Sequence, residues 1–582
     1  MSKALRKSKA EAHEGADELL ACAARRDAQA GRGEVPQDDL CGLRSREALL
    51  AFSRARQNAF CWYELPSNAR VLELRSGCGG ATGYFAQHAS RVLCLENDAQ
   101  QAQVCARQHA HAAVVEVLNA SPLDTLDGLD EEFDLVVLHD LRVGDERLMQ
   151  LAAQRLADGG TFILTASNAL GTTELASARM DQTGPINLET EGSKDPGTLL
   201  LRSQIEDMLA NVGLTPADVY YPHPDHRFAR YVFSDDRLPD EGELTYFEDS
   251  TGVPRVRTLH EERLQRAFLA QGSFSLVANS FLFLARKAAD QQPATSQKPT
   301  HVSPVVYAKV SSERDARFAI VTTVEQGRVV HKRALLPQGK AHVEAILDAQ
   351  EQLQQLFEQD GLFKVNRAWR EGDSLRLEYL MGQTLEDKVA IALGANDLNA
   401  ATALLTEYRD RVLAKAAASF ATTDEFAAVF GRCLDKGSLD SLAGMPCLQV
   451  TDVDLILRNV VPQQDDWHLI DYEWTFAFPV PVHFVLWRSL HYLMLTSEIA
   501  RKVLDRLGCW KLFGLDEHTR AVFLAMEDSF QDYVTGGTVP VDSVLCECDP
   551  RPRELPMVWN EARCWRDDSL VGRLRHAKHV LL

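Results

Sequence analysis

Residues 71–86 read VLELRSGCGGATGYFA: a run of β-formers carries an acid, Glu73, into a loop that holds Gly77, Gly79 and Gly80. Glycines after a strand let backbone amides approach a ligand at the carboxyl edge of a parallel sheet, because no Cβ stands in the way. About twenty residues further on, RVLCLEND ends in a second acid, Glu96, spaced to accept hydrogen bonds from ribose hydroxyls. The GxGxxG order of nicotinamide folds is absent, and Arg75 stands where such a loop would place its first glycine. A cation there is expected to point out of the pocket, toward solvent or an acid, and its replacement by glycine to tighten binding of the ligand. Transfer of a group to an oxygen needs a base for the departing proton. His139, Asp140, His223, Asp225 and His226 are the titratable candidates, and the sequence does not choose among them.

A second set stands far downstream. In TDVDLILRNVV, residues 451–461, Asp454 and Asn459 are five apart, and Asp471 follows in the apolar run WHLIDYEW. The spacing resembles that of protein kinases, and the resemblance implies Asp454 as an acid that accepts a hydroxyl proton, Asn459 as an amide that holds magnesium, and Asp471 as an acid on the metal that bridges phosphates. The same resemblance implies Lys332 in RVVHKRALL as the phosphate-binding lysine on a strand, and Glu344 in the next helix as its ion-pair partner.

The elements that must position these residues can be read from the pattern. Strand-like and helical runs alternate at short spacing from ARVLELRS to TFILTAS, the mark of βαβ units and a mostly parallel sheet. A helix over 201–212 follows, then a strand pair formed by RYVFSDD and SFSLVANSFLFLARK. The polar, proline-bearing stretch 287–304 reads as a linker. Beyond it come strands YAKVSS, FAIVTTV and RVVHKRALL, a helix AHVEAILDAQEQLQQLF, strands NRAWRE and SLRLEYLM, and then mainly helix. The boundaries are therefore a charged N-terminal arm at 1–44, an α/β domain at 45–286, the linker, and an α+β domain at 305–582 whose C-terminal part is helical.

The ordered set of strand, Glu73, glycine loop and Glu96 resembles the class I S-adenosylmethionine-dependent methyltransferases, with their Rossmann-like fold. The resemblance runs through residues 60–286 and implies S-adenosylmethionine as cofactor, with Glu73, Gly77, Gly79 and Glu96 around it and Asn119 at the adenine. His139 and Asp140 follow the fourth strand, FDLVVLHDL, and would reach the pocket. The tail ADVYYPHPDHRFARYVFSDDRLP with ANSFLFLAR is similar to that of methyltransferases of bacterial surface-polysaccharide assembly. That likeness implies a glycan or sugar-linked acceptor and glycosyltransferases as partners. Residues 305 onward resemble kinase-like sugar and aminoglycoside phosphotransferases, which implies ATP with magnesium held by Asn459 and Asp471, and Asp454 as base. The pattern departs from that family at Asp452, where histidine is usual, at Glu473, where glycine is usual, and in the glycine-free stretch YAKVSSERDARFAIVTTV. A chain that keeps both folds without the chemistry would be a scaffold that organises glycosyltransferases.

Length and charge bound these readings. At 582 residues the chain exceeds what one hydrophobic core serves. A net charge of -21 excludes a general nucleic-acid binder, which needs a basic footprint. The twelve cysteines include no CxxC pair, so reduced thiols are expected rather than zinc sites. No run reaches the roughly 20 apolar residues of a spanning helix. A cytoplasmic protein, peripheral to a membrane only through partners, is the resulting expectation.

Overall fold

The computed structural model describes residues 2–32, 44–179, 199–240, 243–244, 255–287, 301–416, 418–464, 466–548, 551 and 553–554. It divides into two compact units, one formed by 1–313 together with 538–582 and the other by 314–537.

In the first unit, α1 (Ser2–Gly31) and α2 (Arg46–Phe52) precede an alternating series: β1 (Arg70–Leu74), α3 (Thr82–His88), β2 (Arg91–Glu96), α4 (Ala99–Gln108), β3 (Val115–Asn119), β4 (Phe133–Leu138), α5 (Glu146–Gln154) and β5 (Leu156–Asn168). The inner strands β1, β2 and β4 are short apolar runs buried through most of their length, as expected between crossover helices, whereas the edge strand β3 is not. After α6 (Arg202–Asn211) come β6 (Leu214–His223), β7 (Tyr231–Ser234), β8 (Ser280–Lys287) and β9 (Val305–Val310). The sheet order is β3-β2-β1-β4-β5-β8-β6-β7-β9. Pairing is parallel from β3 to β5, and β8 then runs antiparallel to both β5 and β6.

Three expectations change here. The strand pair read as RYVFSDD with SFSLVANSFLFLARK is not a pair, because β6 lies between β7 and β8. LTPADVYYPH escaped recognition as a strand because Pro216 and Pro222 break its alternation. Within the N-terminal arm, Ser2–Gly31 forms one helix that packs against α4 and buries Leu19, Cys22 and Ala23. The third change is at the other end of the chain. β9 pairs with β7, and the helix Val541–Cys548 packs on α2, burying Val541 and Val544 with Leu49 and Phe52. Residues 305–313 and 538–548 therefore group with the first unit rather than with 314–537. Most of 287–304 and the C-terminal run WNEARCWRDDSLVGRLRHAKHVLL lie outside the described residues. Among those described, Cys22 is disulfide-bonded, against the expectation of reduced thiols, and nine other cysteines form no disulfide.

The second unit opens with β10 (Ile320–Glu325) and β11 (Val329–Ala334), then α7 (Lys340–Phe357), β12 (Ala368–Glu371) and β13 (Ser374–Glu378), ordered β12-β13-β11-β10 and antiparallel throughout. A mainly helical part follows, in which the hairpin Val460–Gln463 with Asp466–Leu469 interrupts the helices. The helices α8 (Leu385–Gly394), α9 (Leu398–Leu413), α10 (Val482–Thr496) and α11 (Glu517–Thr535) share one large apolar core. No helix among the described residues is long and apolar enough to cross a membrane.

Candidate functional site

At the carboxyl edge of the first unit's sheet, β1 delivers Glu73 and the loop 75–80. Glu73 is fully buried: its carboxylate accepts from Thr82 Oγ1 at 2.7 Å and Cys94 Sγ at 3.4 Å, and meets His139 Nε2 at 2.8 Å. Arg75 has φ of 58° and its amide donates to Leu95 O at 2.9 Å. Its guanidinium grips Asp145 with two bonds of 2.6 and 2.7 Å and donates to Asp140 O at 3.0 Å. The arginine thus turns to an acid, as its charge requires. Asp145 in VGDERL was not singled out from sequence, because nothing in spacing ties it to residue 75.

Gly77 and Gly79 have φ of 58° and 86°, backbone that side chains other than glycine rarely adopt. They serve different neighbours. A Cβ on Gly79 would lie 2.7 Å from Cys105 Sγ, so this glycine lets the loop press on α4, where His109 Nε2 also meets Gly79 O at 3.0 Å. A Cβ on Gly77 would meet only Gln101 Oε1, at 3.5 Å. The Gly77 amide donates to Glu96 Oε2 at 2.9 Å, and the Asp98 amide to Glu96 Oε1 at 2.9 Å. Glu96 and Asn119 are register partners at the ends of β2 and β3, and Asn119 Nδ2 donates to Glu96 O at 3.1 Å. Glu73, Gly77, Gly79, Glu96 and Asn119 are therefore gathered at one edge. Burial pushes the neighbouring Cys78 thiol up to about 12, which keeps it inert.

The candidate bases separate. His139 is buried, its Nε2 on Glu73 and its ring edge-on to Phe60. Asp140 stands at the end of β4 with 38% of its side chain exposed; Oδ1 accepts from His226 Nε2 at 2.7 Å and Arg227 at 2.8 Å. Burial pushes this carboxyl up, but the Arg227 guanidinium and His226 outweigh it and hold it well below the usual carboxylate range. His226 is held below the usual imidazole range, first by burial and then by Arg227. A neutral His226 donating Nε2–H to Asp140 leaves Nδ1 to accept from Ser280 Oγ, 2.8 Å away. Asp225 accepts the amides of Arg227 and Phe228, which shapes the loop.

In the second unit Lys332, on β11, is 5% exposed. Its Nζ lies 2.5 Å from Asp471 Oδ1 and 3.1 Å from Glu473 Oε2. Burial opposes the ammonium, yet the two carboxylates keep its pKa above the usual lysine value. Glu344 is not its partner, contrary to the expectation: it sits on the exposed side of α7 and pairs with Arg370 of β12. Helical position alone could not show which face of α7 meets the lysine.

Asn459 Nδ2 donates to Asp454 O at 2.9 Å, so these two are joined. Asp454 Oδ1 pairs with Arg488 at 2.7 Å, and Arg488 continues to Glu527 at 2.8 Å. Burial raises the Asp454 carboxyl despite Arg488. Asp452 is more extreme: burial and then the Asp454 charge push it well above the usual range, and its Oδ2 has no hydrogen-bond partner among the described residues. The sequence did carry one signal for Arg488, a lone cation in the apolar helix VHFVLWRSLHYLML that must find acids. The glycine-free loop spends Arg314 on Glu473 and packs Phe318 against His342 and Trp474. Among the described residues no group of three or more His, Cys, Asp or Glu side chains is set to hold a metal.

The first unit is thus an open α/β sheet with a glycine loop at its carboxyl edge. Among solved structures, the chain is similar to a SAM-dependent methyltransferase from Archaeoglobus fulgidus, at 13% identity over 40% of this chain and 92% of that one, with a TM-score of 0.26. It is also similar to a complex of the Haloferax volcanii Trm112 methyltransferase activator with a putative methyltransferase, at 14% identity over 48% and 99% of the two chains, TM-score 0.28. A third is the glycopeptide N-methyltransferase MtfA complexed with S-adenosyl-L-homocysteine, at 15% identity over 41% and 90%, TM-score 0.26. No protein-family model and no curated protein matches the chain.

Proposed function

We propose that the first unit binds S-adenosylmethionine at the carboxyl edge of β1 and β2 and methylates an oxygen of a sugar-linked acceptor. The observation that carries this reading is the Gly77 amide on Glu96 Oε2, which ties the open glycine to the acid at the end of the adjacent strand. Each carboxylate oxygen of Glu96 accepts one backbone amide and has lone-pair capacity for a ribose hydroxyl. The residues present therefore fit this cofactor: Glu96 for the ribose, the Gly77 backbone for close approach, Asn119 for the adenine. The reversed β8 next to β5 also departs from the 3-2-1-4-5-6 dinucleotide fold, which disfavours a nicotinamide.

When bound, the cofactor supplies a sulfonium methyl that an acceptor oxygen can attack. Asp140 would orient the acceptor hydroxyl, because Oδ1 is fixed by His226 and Arg227 while part of its side chain reaches solvent. Its depressed pKa makes it a hydrogen-bond acceptor that would pass the acceptor's proton on to the solvent its side chain reaches rather than store it. Arg75, drawn to Asp145, keeps its charge away from the loop's glycines. The acceptor class and glycosyltransferase partners rest on the tail 217–239 and 278–286 that resembles surface-polysaccharide methyltransferases. Titration calorimetry with S-adenosylmethionine tests the reading. No binding at millimolar ligand would overturn it in favour of a scaffold.

A second reading is favoured by the paired contacts Lys332–Asp471 and Asn459–Asp454: a phosphotransferase in residues 314–537. Magnesium takes one or two carboxylates and completes its shell with phosphate and water. Asp471 and Asn459 would supply the protein's share, Lys332 would face the phosphates, and Asp454 would take the hydroxyl proton. Absence of phosphate transfer or hydrolysis from ATP and magnesium with any glycan fraction would refute this activity.

A further inference from the structure

Glu473 gathers more partners than any other carboxylate near Lys332. Its Oε2 lies 3.1 Å from Lys332 Nζ, its Oε1 lies 3.0 Å from His342 Nε2, and Arg314 pairs with it as well. The side chain is 5% exposed, so these contacts are shielded from water and salt. Glu344, the acid that α7 offers by sequence, is 55% exposed and occupied by Arg370. Helix α7 instead sends His342 to Glu473.

Position along the chain gives this arrangement its consequence. In a kinase-like site the lysine is ordinarily aligned by an acid on the helix, so movement of that helix breaks the pair and disables the site. Glu473 lies two residues beyond Asp471, on the segment that carries the metal-side acid. Lysine, Asp471 and Glu473 are thereby linked through one short stretch of backbone, with the helix as an accessory contact.

We propose that Glu473, in place of the helix-borne Glu344, is the positioning residue for Lys332 and sets its ammonium for a nucleoside triphosphate independently of any acid on α7. The proposal rests on the phosphotransferase reading of this unit. Buried charge-assisted contacts are lost on removal of the charge, whereas an exposed ion pair contributes little.

The test uses the full chain with Glu473→Gln, Glu473→Asp and Glu344→Gln. Titration calorimetry with ATP and magnesium should show affinity weakened about tenfold or more in Glu473→Gln, partly restored in Glu473→Asp, and changed less than about threefold in Glu344→Gln. Adenosine affinity should be unchanged in all three, which a merely structural loss would not give. Hydrogen exchange should rise over 329–334 and 470–475 in Glu473→Gln only. If Glu344→Gln, an exposed substitution that leaves the core intact, weakens ATP or raises exchange over 329–334, the proposal is overturned even where Glu473→Gln fails to fold. If the parent chain binds no ATP while the exchange pattern holds, the phosphotransferase reading falls and Glu473 stands as the anchor of Lys332. An exchange pattern unchanged in Glu473→Gln overturns the anchor itself.

Discussion

Arg75 offers the sharpest test of how the glycine loop is built. Two terms oppose each other at this position. Its φ of 58° is a left-handed conformation that costs a non-glycine residue about 1–2 kcal/mol, which Arg75→Gly would relieve. Against that stands the two-pronged pair with Asp145, whose side chains are 21% and 11% exposed. That pair lies between an exposed pair worth about 0–1 kcal/mol and a buried one whose breaking costs about 3–5, so about 2–3 kcal/mol is the working value. Arg75→Gly should therefore destabilise the loop by about 1 kcal/mol net, and Asp145→Asn by about 2–3 kcal/mol with no compensation. The double variant should fall short of the sum by about 2–3 kcal/mol, a coupling of the size expected for contacting charges. Hydrogen exchange of the peptide containing the Arg75 amide, which Leu95 O protects, reads this as roughly a 30–150-fold non-additivity in the opening constant. A stabilised Arg75→Gly, or strict additivity, would show that backbone strain rather than the ion pair governs the loop. Because Asp145 already neutralises the cation, we expect Arg75→Gly to change S-adenosylmethionine affinity less than about threefold, a smaller effect than its position in the sequence suggests.

Three further outcomes follow from the geometry. Asp452 has a folded pKa raised above its unfolded value, so its favourable contribution is full below the unfolded pKa and is lost as pH rises toward the folded one. Asp452→Asn should consequently be more stable than the parent at pH 7, on the order of 1–2 kcal/mol, with the gap closing toward pH 4 in urea titrations; a pH-independent gap would contradict this. Gly79→Ala places a Cβ against Cys105 at a positive φ and should cost about 1–3 kcal/mol, visible as faster exchange in α4, whereas a neutral effect would mean that the loop relaxes freely. Truncation after Gly537 uncovers the apolar faces that Val541 and Val544 bury against α2 and should weaken the first unit by on the order of 3 kcal/mol, while limited proteolysis of 314–537 stays unchanged.

Much of this organisation was written locally. The alternation of apolar strands with helices is a property of neighbouring residues, so β1 to β5 and the strands around Lys332 could be read in order, as could Glu73, the glycines and Glu96, each tied to a strand end. What the chain order could not convey is which groups meet across space. Arg75 and Asp145, Asp140 and His226, and Lys332 and Glu473 are each separated by at least seventy residues and joined by charges that burial forces together. The insertion of β8 between β5 and β6, and the return of 538–548 to the first unit, depend on non-local pairing that leaves no periodic trace. Sequence periodicity records which face of an element is apolar. Only packing decides what that face meets, and for Glu344 and Glu473 this reversed the choice of partner for the lysine.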